Sequence, residues 1–154
     1  MYERETRSRN LGPLLIILAV LIVAVGWHRI NEGRVEVIET AESGRIVEDF
    51  PVDLILVVRD ASVKKSDRSI EGDLIGQSQI LSVTYTTKAK VPDLFGAYVN
   101  YFSEHGYDLK KTESKEGEAV IQAERDGLGI TIGMSVAGPQ NQEVRIEVKR
   151  PMVQ

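Results

Sequence analysis

Few residues in this chain have types and spacing suited to chemistry. Ser62-Val63-Lys64-Lys65 fits Ser-x-x-Lys, in which a lysine amine would take the proton from a serine nucleophile. The companion motifs of penicillin-recognising enzymes are missing, and the segment reads as a strand rather than a helix start. The two histidines, His28 and His105, are far apart and neither sits in a ligand pattern, so no metal site is expected. His105 suits the negative end of a helix dipole instead. Gly127-Leu128-Gly129 lacks the further glycine and the helix of a dinucleotide site, and Asp67, Asp73 and Asp126 do not have calcium-loop spacing. With no cysteine there is no disulfide, thiolate ligand or cysteine nucleophile. The expectation is a non-enzyme without a cofactor.

What remains is a candidate contact surface. Thr131, Gly133 and Ser135 alternate outward along one stretch, and Arg145, Glu147 and Lys149 along the next. Small residues there would let a partner backbone approach closely. The plainer reading is a solvated sheet face with glycines at bends.

These positions need strands to hold them. Residues 79–88 alternate, with Leu81, Val83 and Tyr85 on one side and Ser82, Thr84 and Thr86 on the other. The same period-two pattern recurs in 118–125, in 128–136 and around Val144, Ile146 and Val148; 107–115 is polar and suits a sheet edge. Asp126-Gly127 and Gly138-Pro139-Gln140-Asn141 punctuate these runs as turns. Pro92 and Asp93 open a helix carrying Phe95, Tyr98, Val99 and Phe102 on one side, and Gly106 ends it. The apolar run 52–58 reads as a buried extended segment, 61–67 as a short polar strand and 69–77 as a loop.

Residues 11–27 dominate the N-terminal part. They are uncharged and include Leu11, Leu14, Leu15, Ile16, Ile17, Leu18, Val20, Leu21, Ile22, Val23 and Val25, with Trp27 where an interfacial anchor would sit. As a helix they would cover roughly 25 Å, close to the thickness of a bilayer's hydrocarbon core. Arg4, Arg7 and Arg9 before the span favour a cytoplasmic N-terminus and an extracytoplasmic or periplasmic C-terminal domain. The competing reading is a signal peptide cleaved near Ala24-Val25-Gly26.

The 154-residue chain carries 19 basic and 23 acidic side chains, net −4. Residues 1–30 hold four basic and two acidic, so the remainder has fifteen and twenty-one, net −6. An acidic outer part argues against nucleic acid as a partner. Residues 31–50 are charged and read as a solvated linker, with a short strand near 34–39 as the alternative.

Asp53-Leu54-x-Leu56 before Ala61, then Thr84-Tyr85-Thr86-Thr87, then Phe95, Tyr98, Tyr101-Phe102 and Gly106-Tyr107 together resemble a recurrent bacterial envelope domain found in small single-pass proteins and lipoproteins. The resemblance covers about residues 50–150. It implies an extended lead-in, a strand, a helix ending in Gly-aromatic and a closing meander, and no assigned activity.

The resulting expectation is an α+β protein. A cytoplasmic tail (1–10) precedes a transmembrane helix (11–30), a charged linker (31–50), a two-layer domain with an antiparallel sheet packed on one helix (51–150) and a tail (151–154). Its function would be that of a non-enzymatic, single-pass inner-membrane protein, an accessory or scaffold subunit of an envelope complex. Its partners would be the lipid bilayer and other membrane or envelope proteins. The alternatives are a stand-alone ligand-binding module, with a pocket between helix and sheet, and a small hydrolase using Ser62 and Lys65.

Overall fold

A computed structural model describes residues 34–72 and 76–152. Seven strands form one antiparallel sheet: β1 (Arg34–Thr40), β2 (Ser62–Gly72), β3 (Gln77–Thr87), β4 (Asp108–Lys115), β5 (Glu118–Arg125), β6 (Leu128–Val136) and β7 (Gln142–Pro151). Two helices interrupt the series, α1 (Asp53–Leu56) between β1 and β2 and α2 (Val91–Glu104) between β3 and β4. The spatial order is β1-β2-β3-β7-β6-β5-β4. The chain builds three strands outward-in, crosses through α2 to the far edge, and returns in a meander that ends by pairing β7 with β3.

Local chemistry explains the joints. Asp126 (φ 54°) and Gly127 (φ 77°) form the two-residue turn between β5 and β6, both left-handed as the twist of a tight hairpin demands. At the end of α2, the Tyr107 N–H donates to the Phe102 carbonyl (2.9 Å) and Gly106, at φ 71°, turns the chain. Phe102 and Tyr107 then meet edge to face at 5.1 Å, the apolar contact that accompanies such a helix stop.

One face of the sheet is buried. Leu81, Val83, Tyr85, Ile121, Ile132, Val144, Ile146 and Val148 are fully enclosed. Val91, Leu94, Tyr98 and Phe102 of α2 join them, so the seam runs through Leu94 rather than through Phe95 and Val99, which are only partly buried. The segment 41–61 contributes Val47, Phe50, Leu54, Ile55 and Val58.

Several expectations are corrected here. The expected α+β plan, a transmembrane helix followed by a sheet packed on one helix, gives way to a mostly-sheet domain with helices of only four and fourteen residues among those described. Seven strands at about 4.8 Å spacing make a sheet roughly 29 Å wide, too broad for one helix about 10 Å across. The irregular segment 41–61 supplies the rest of the cover. Among the described residues no helix is long and apolar enough to cross a membrane. The longest, α2, spans about 21 Å against a hydrocarbon core of about 30 Å. The expected inner-membrane, single-pass location is therefore not carried forward, and the anchor residues Leu11 to Trp27 lie outside the described residues.

The expected linker 31–50 is also revised, since residues 34–40 form β1 and Val47 and Phe50 are core. The run 52–58, expected to be extended, instead holds the short helix α1 (Asp53–Leu56) flanked by turns. Its buried residues Leu54, Ile55 and Val58 follow a helical period, with Val52 and Leu56 turned to solvent. The loop expected at 69–77 is shorter, because β2 continues to Gly72 and β3 begins at Gln77.

Candidate functional site: the outer face of the sheet

Because side chains alternate along a strand, burial of Ile130, Ile132 and Met134 leaves Gly129, Thr131, Gly133 and Ser135 on the opposite, outer face. Register places them beside Lys149, Glu147, Arg145 and Glu143 of β7, and on the other side beside Glu124, Gln122, Val120 and Glu118 of β5. Beyond β7 lie Ile80, Ser82, Thr84 and Thr86 of β3. All five residues expected to contact a partner (Thr131, Gly133, Ser135, Arg145 and Lys149) therefore share one face. Arg145 and Lys149 are exposed, and the three small residues are half-buried.

A trough of about 380 Å³ is cut into this face, lined by Glu71, Ile80, Lys110, Gln122, Glu124, Gly129, Thr131, Glu147 and Lys149 among others. Its walls are ion pairs. On one side Lys149 reaches across Ile80 to pair with Glu71. On the other, Lys110 lies 3.7 Å from Glu124 and also bonds Asp108, which raises its pKa above the usual lysine value. Arg145 pairs with Glu147 at 2.5 Å along β7. The floor lacks a side chain at Gly129, and Gly133 leaves a second bare point further along the same face, outside the trough lining. A Cβ added at Gly133 would meet nothing within 4 Å, and at Gly129 only the Lys149 carbonyl at 3.9 Å. Crowding does not require either glycine; Gly129 keeps the trough floor low, and Gly133 leaves the backbone beside it approachable.

Glu71, Ile80, Lys110, Gln122 and Glu124 were missed from the sequence. Ile80, Gln122 and Glu124 sit at outward positions of alternating strands, which is a readable signal, whereas Glu71 fell in the expected loop 69–77 and Lys110 is the extra residue of the irregularity in β4. Their convergence depends on strand order and on the register shift between Leu109 and Lys111 in β4, which are not local properties.

Among known protein families, curated proteins and solved structures, none matches this chain.

The remaining candidates are taken up by structural roles. Ser62 is exposed at the start of β2, whereas Lys65 turns its amine to Asp67 at 2.7 Å, an ion pair instead of a base for Ser62. Partial burial works against the Asp67 carboxylate, yet hydrogen bonds from Lys65 and Thr40 hold its pKa below the usual value. His105 stacks on Tyr101 at 4.1 Å, with Nδ1 2.7 Å from the Tyr101 carbonyl. Arg125 lies 4.5 Å over the Tyr107 ring and donates to the His105 carbonyl at 2.7 Å. This aromatic group locks the end of α2. His28 lies outside the described residues.

Proposed function

We propose that this domain is a non-enzymatic protein-contact module, an accessory or scaffold part of a larger assembly, and that the outer sheet face around Gly129 is its contact surface. The observation that carries the reading is the trough. Gly129 leaves its floor bare at one point, and ion pairs of both signs border it, so a backbone can come close while its polar groups find partners. The net −6 of residues 31–154 makes nucleic acid a poor partner.

A ligand-binding module was expected to hold a pocket between helix and sheet. There Leu94, Tyr98 and Phe102 are at most 2% exposed and fill the interface. The test is gentle native-state isolation of the full chain, with size measured by light scattering. The chain is expected to travel in a complex, and Thr131→Trp, which fills the trough, is expected to release it. Recovery of the unaltered chain only as a free monomer defeats the proposal.

A further inference from the structure

The two ends of the sheet are built differently. β4, at one end, carries Lys110, Lys111 and Lys115 with Asp108 and Glu113; every residue but Leu109 is exposed, and its register shifts between Leu109 and Lys111. Charge and irregularity on a terminal strand discourage pairing with another chain. β1, at the other end, turns aliphatic side chains to solvent: Val35, Val37 and Ile38 are 57%, 58% and 54% exposed. Its register with β2 runs unbroken over residues 34–37 before shifting. Those four residues therefore offer a straight outer edge, with no strand beyond it among the described residues.

Charge selects the occupant. Residues 34–49 hold five acids (Glu36, Glu39, Glu42, Glu48 and Asp49) against Arg34 and Arg45, net −3. Arg68, which pairs with Glu39 at 3.4 Å and Asp49 at 3.7 Å, brings this to −2. Within β1 itself Glu36 and Glu39 outnumber Arg34, so a basic segment meets the opposite sign.

We propose that β1 accepts an extended segment of a partner protein, alternating apolar and basic residues, as an eighth strand. The partner's backbone pairs with the outer edge of residues 34–37. Its apolar side chains lie beside Val35 and Val37, and its cations face Glu36. The inference rests on the reading of the domain as a protein-contact module but uses a different surface from the trough.

The test uses the full chain and a synthetic heptapeptide alternating valine and lysine, followed by calorimetry and by amide chemical shifts. Shifts are expected to centre on residues 34–40, and Glu36→Lys, an exposed change, is expected to weaken binding. A version N-methylated on its pairing amides is expected to bind about tenfold more weakly, as loss of roughly two net hydrogen bonds implies. Thr131→Trp is expected to leave peptide binding unchanged. Binding lost with Thr131→Trp but indifferent to Glu36→Lys assigns the peptide to the trough and overturns the edge proposal alone. Normal peptide binding by a chain isolated only as a free monomer defeats the trough reading alone. Equal binding of the methylated peptide, shifts on β4, self-association of the chain through β1, or no binding each overturns the edge proposal.

Discussion

Substituting Tyr98 by Phe tests how the covering layer is tied to the sheet. Tyr98 and Tyr85 are both 0% exposed, and their hydroxyl oxygens lie 2.6 Å apart. The Tyr98 hydroxyl donates to the Leu54 carbonyl at 2.9 Å. A hydroxyl has one proton, so Tyr85 must be the donor in the shared bond. Tyr98→Phe therefore strands two buried groups at once, the Leu54 carbonyl and the Tyr85 hydroxyl. At about 1–3 kcal/mol for each unsatisfied group, the loss should be about 2–6 kcal/mol. Tyr85→Phe removes only a donor and leaves the Tyr98–Leu54 bond intact, for about 0.5–1.5 kcal/mol. The double variant should be no less stable than Tyr98→Phe alone, because the stranded hydroxyl is gone. Denaturant unfolding followed by circular dichroism of the four chains closes the cycle. Equal losses for the two single variants, or simple addition in the double variant, would refute the assigned direction of donation.

Burial pushes the Tyr85 phenol up to about 12 and the Tyr98 phenol further still. Both protons are held more tightly in the folded chain than in the unfolded one, so this contribution is complete below pH 10 and is lost as pH rises through 12. The alkaline limb of stability should thus flatten in Tyr85→Phe, read from unfolding midpoints across that range. Ser66, fully buried, accepts from the Val47 N–H at 3.1 Å and donates to the Ser82 carbonyl at 3.0 Å; Ser66→Ala should cost about 1–3 kcal/mol in the same assay, and exchange at the Val47 amide should rise. Asp60 accepts from the Thr87 hydroxyl and from the Lys88 N–H at 2.9 Å, bonds that hold its carboxyl below the usual 3.8. Its contribution is present above pH 3.8 and fades as pH falls through the lower folded value, so Asp60→Asn should lower the thermal midpoint at neutral pH by more than at pH 3.

Features that depend on a few adjacent residues were readable in advance. Asp126-Gly127 marks its own turn, Gly106 its own helix stop, and the alternation of 128–136 needs no partner to be seen. Features that depend on distant partners were not. Val47 and Phe50, on either side of Glu48-Asp49, follow no strand or helix period and become core because Ser66, Arg68 and Arg150 draw the segment onto the sheet, the two arginines through the Glu48 and Asp49 carbonyls. The run 52–58 is apolar on every side, so its period could not separate strand from helix. The outer face was legible from β6 and β7, but the opposite walls of the trough come from β2 and β4, brought there by the strand order alone. The membrane reading rested on residues 11–27, which the described fold does not include.

The pairing of β3 with β7 has a consequence for how the molecule comes into being. Ser82 and Glu147 are partners across this seam although sixty-five residues separate them in the chain. β7 emerges last of the seven strands during synthesis yet belongs in the middle of the finished sheet, with β3 on one side and β6 on the other. Until it arrives, β3 keeps an unfilled side, and the earlier hairpin and the later meander are two half-sheets with apolar flanks bare. Such distant closure is slow and leaves a nascent chain exposed to mispairing for as long as it waits. Closure of the sheet therefore waits until the last strand has been made and slots between its neighbours.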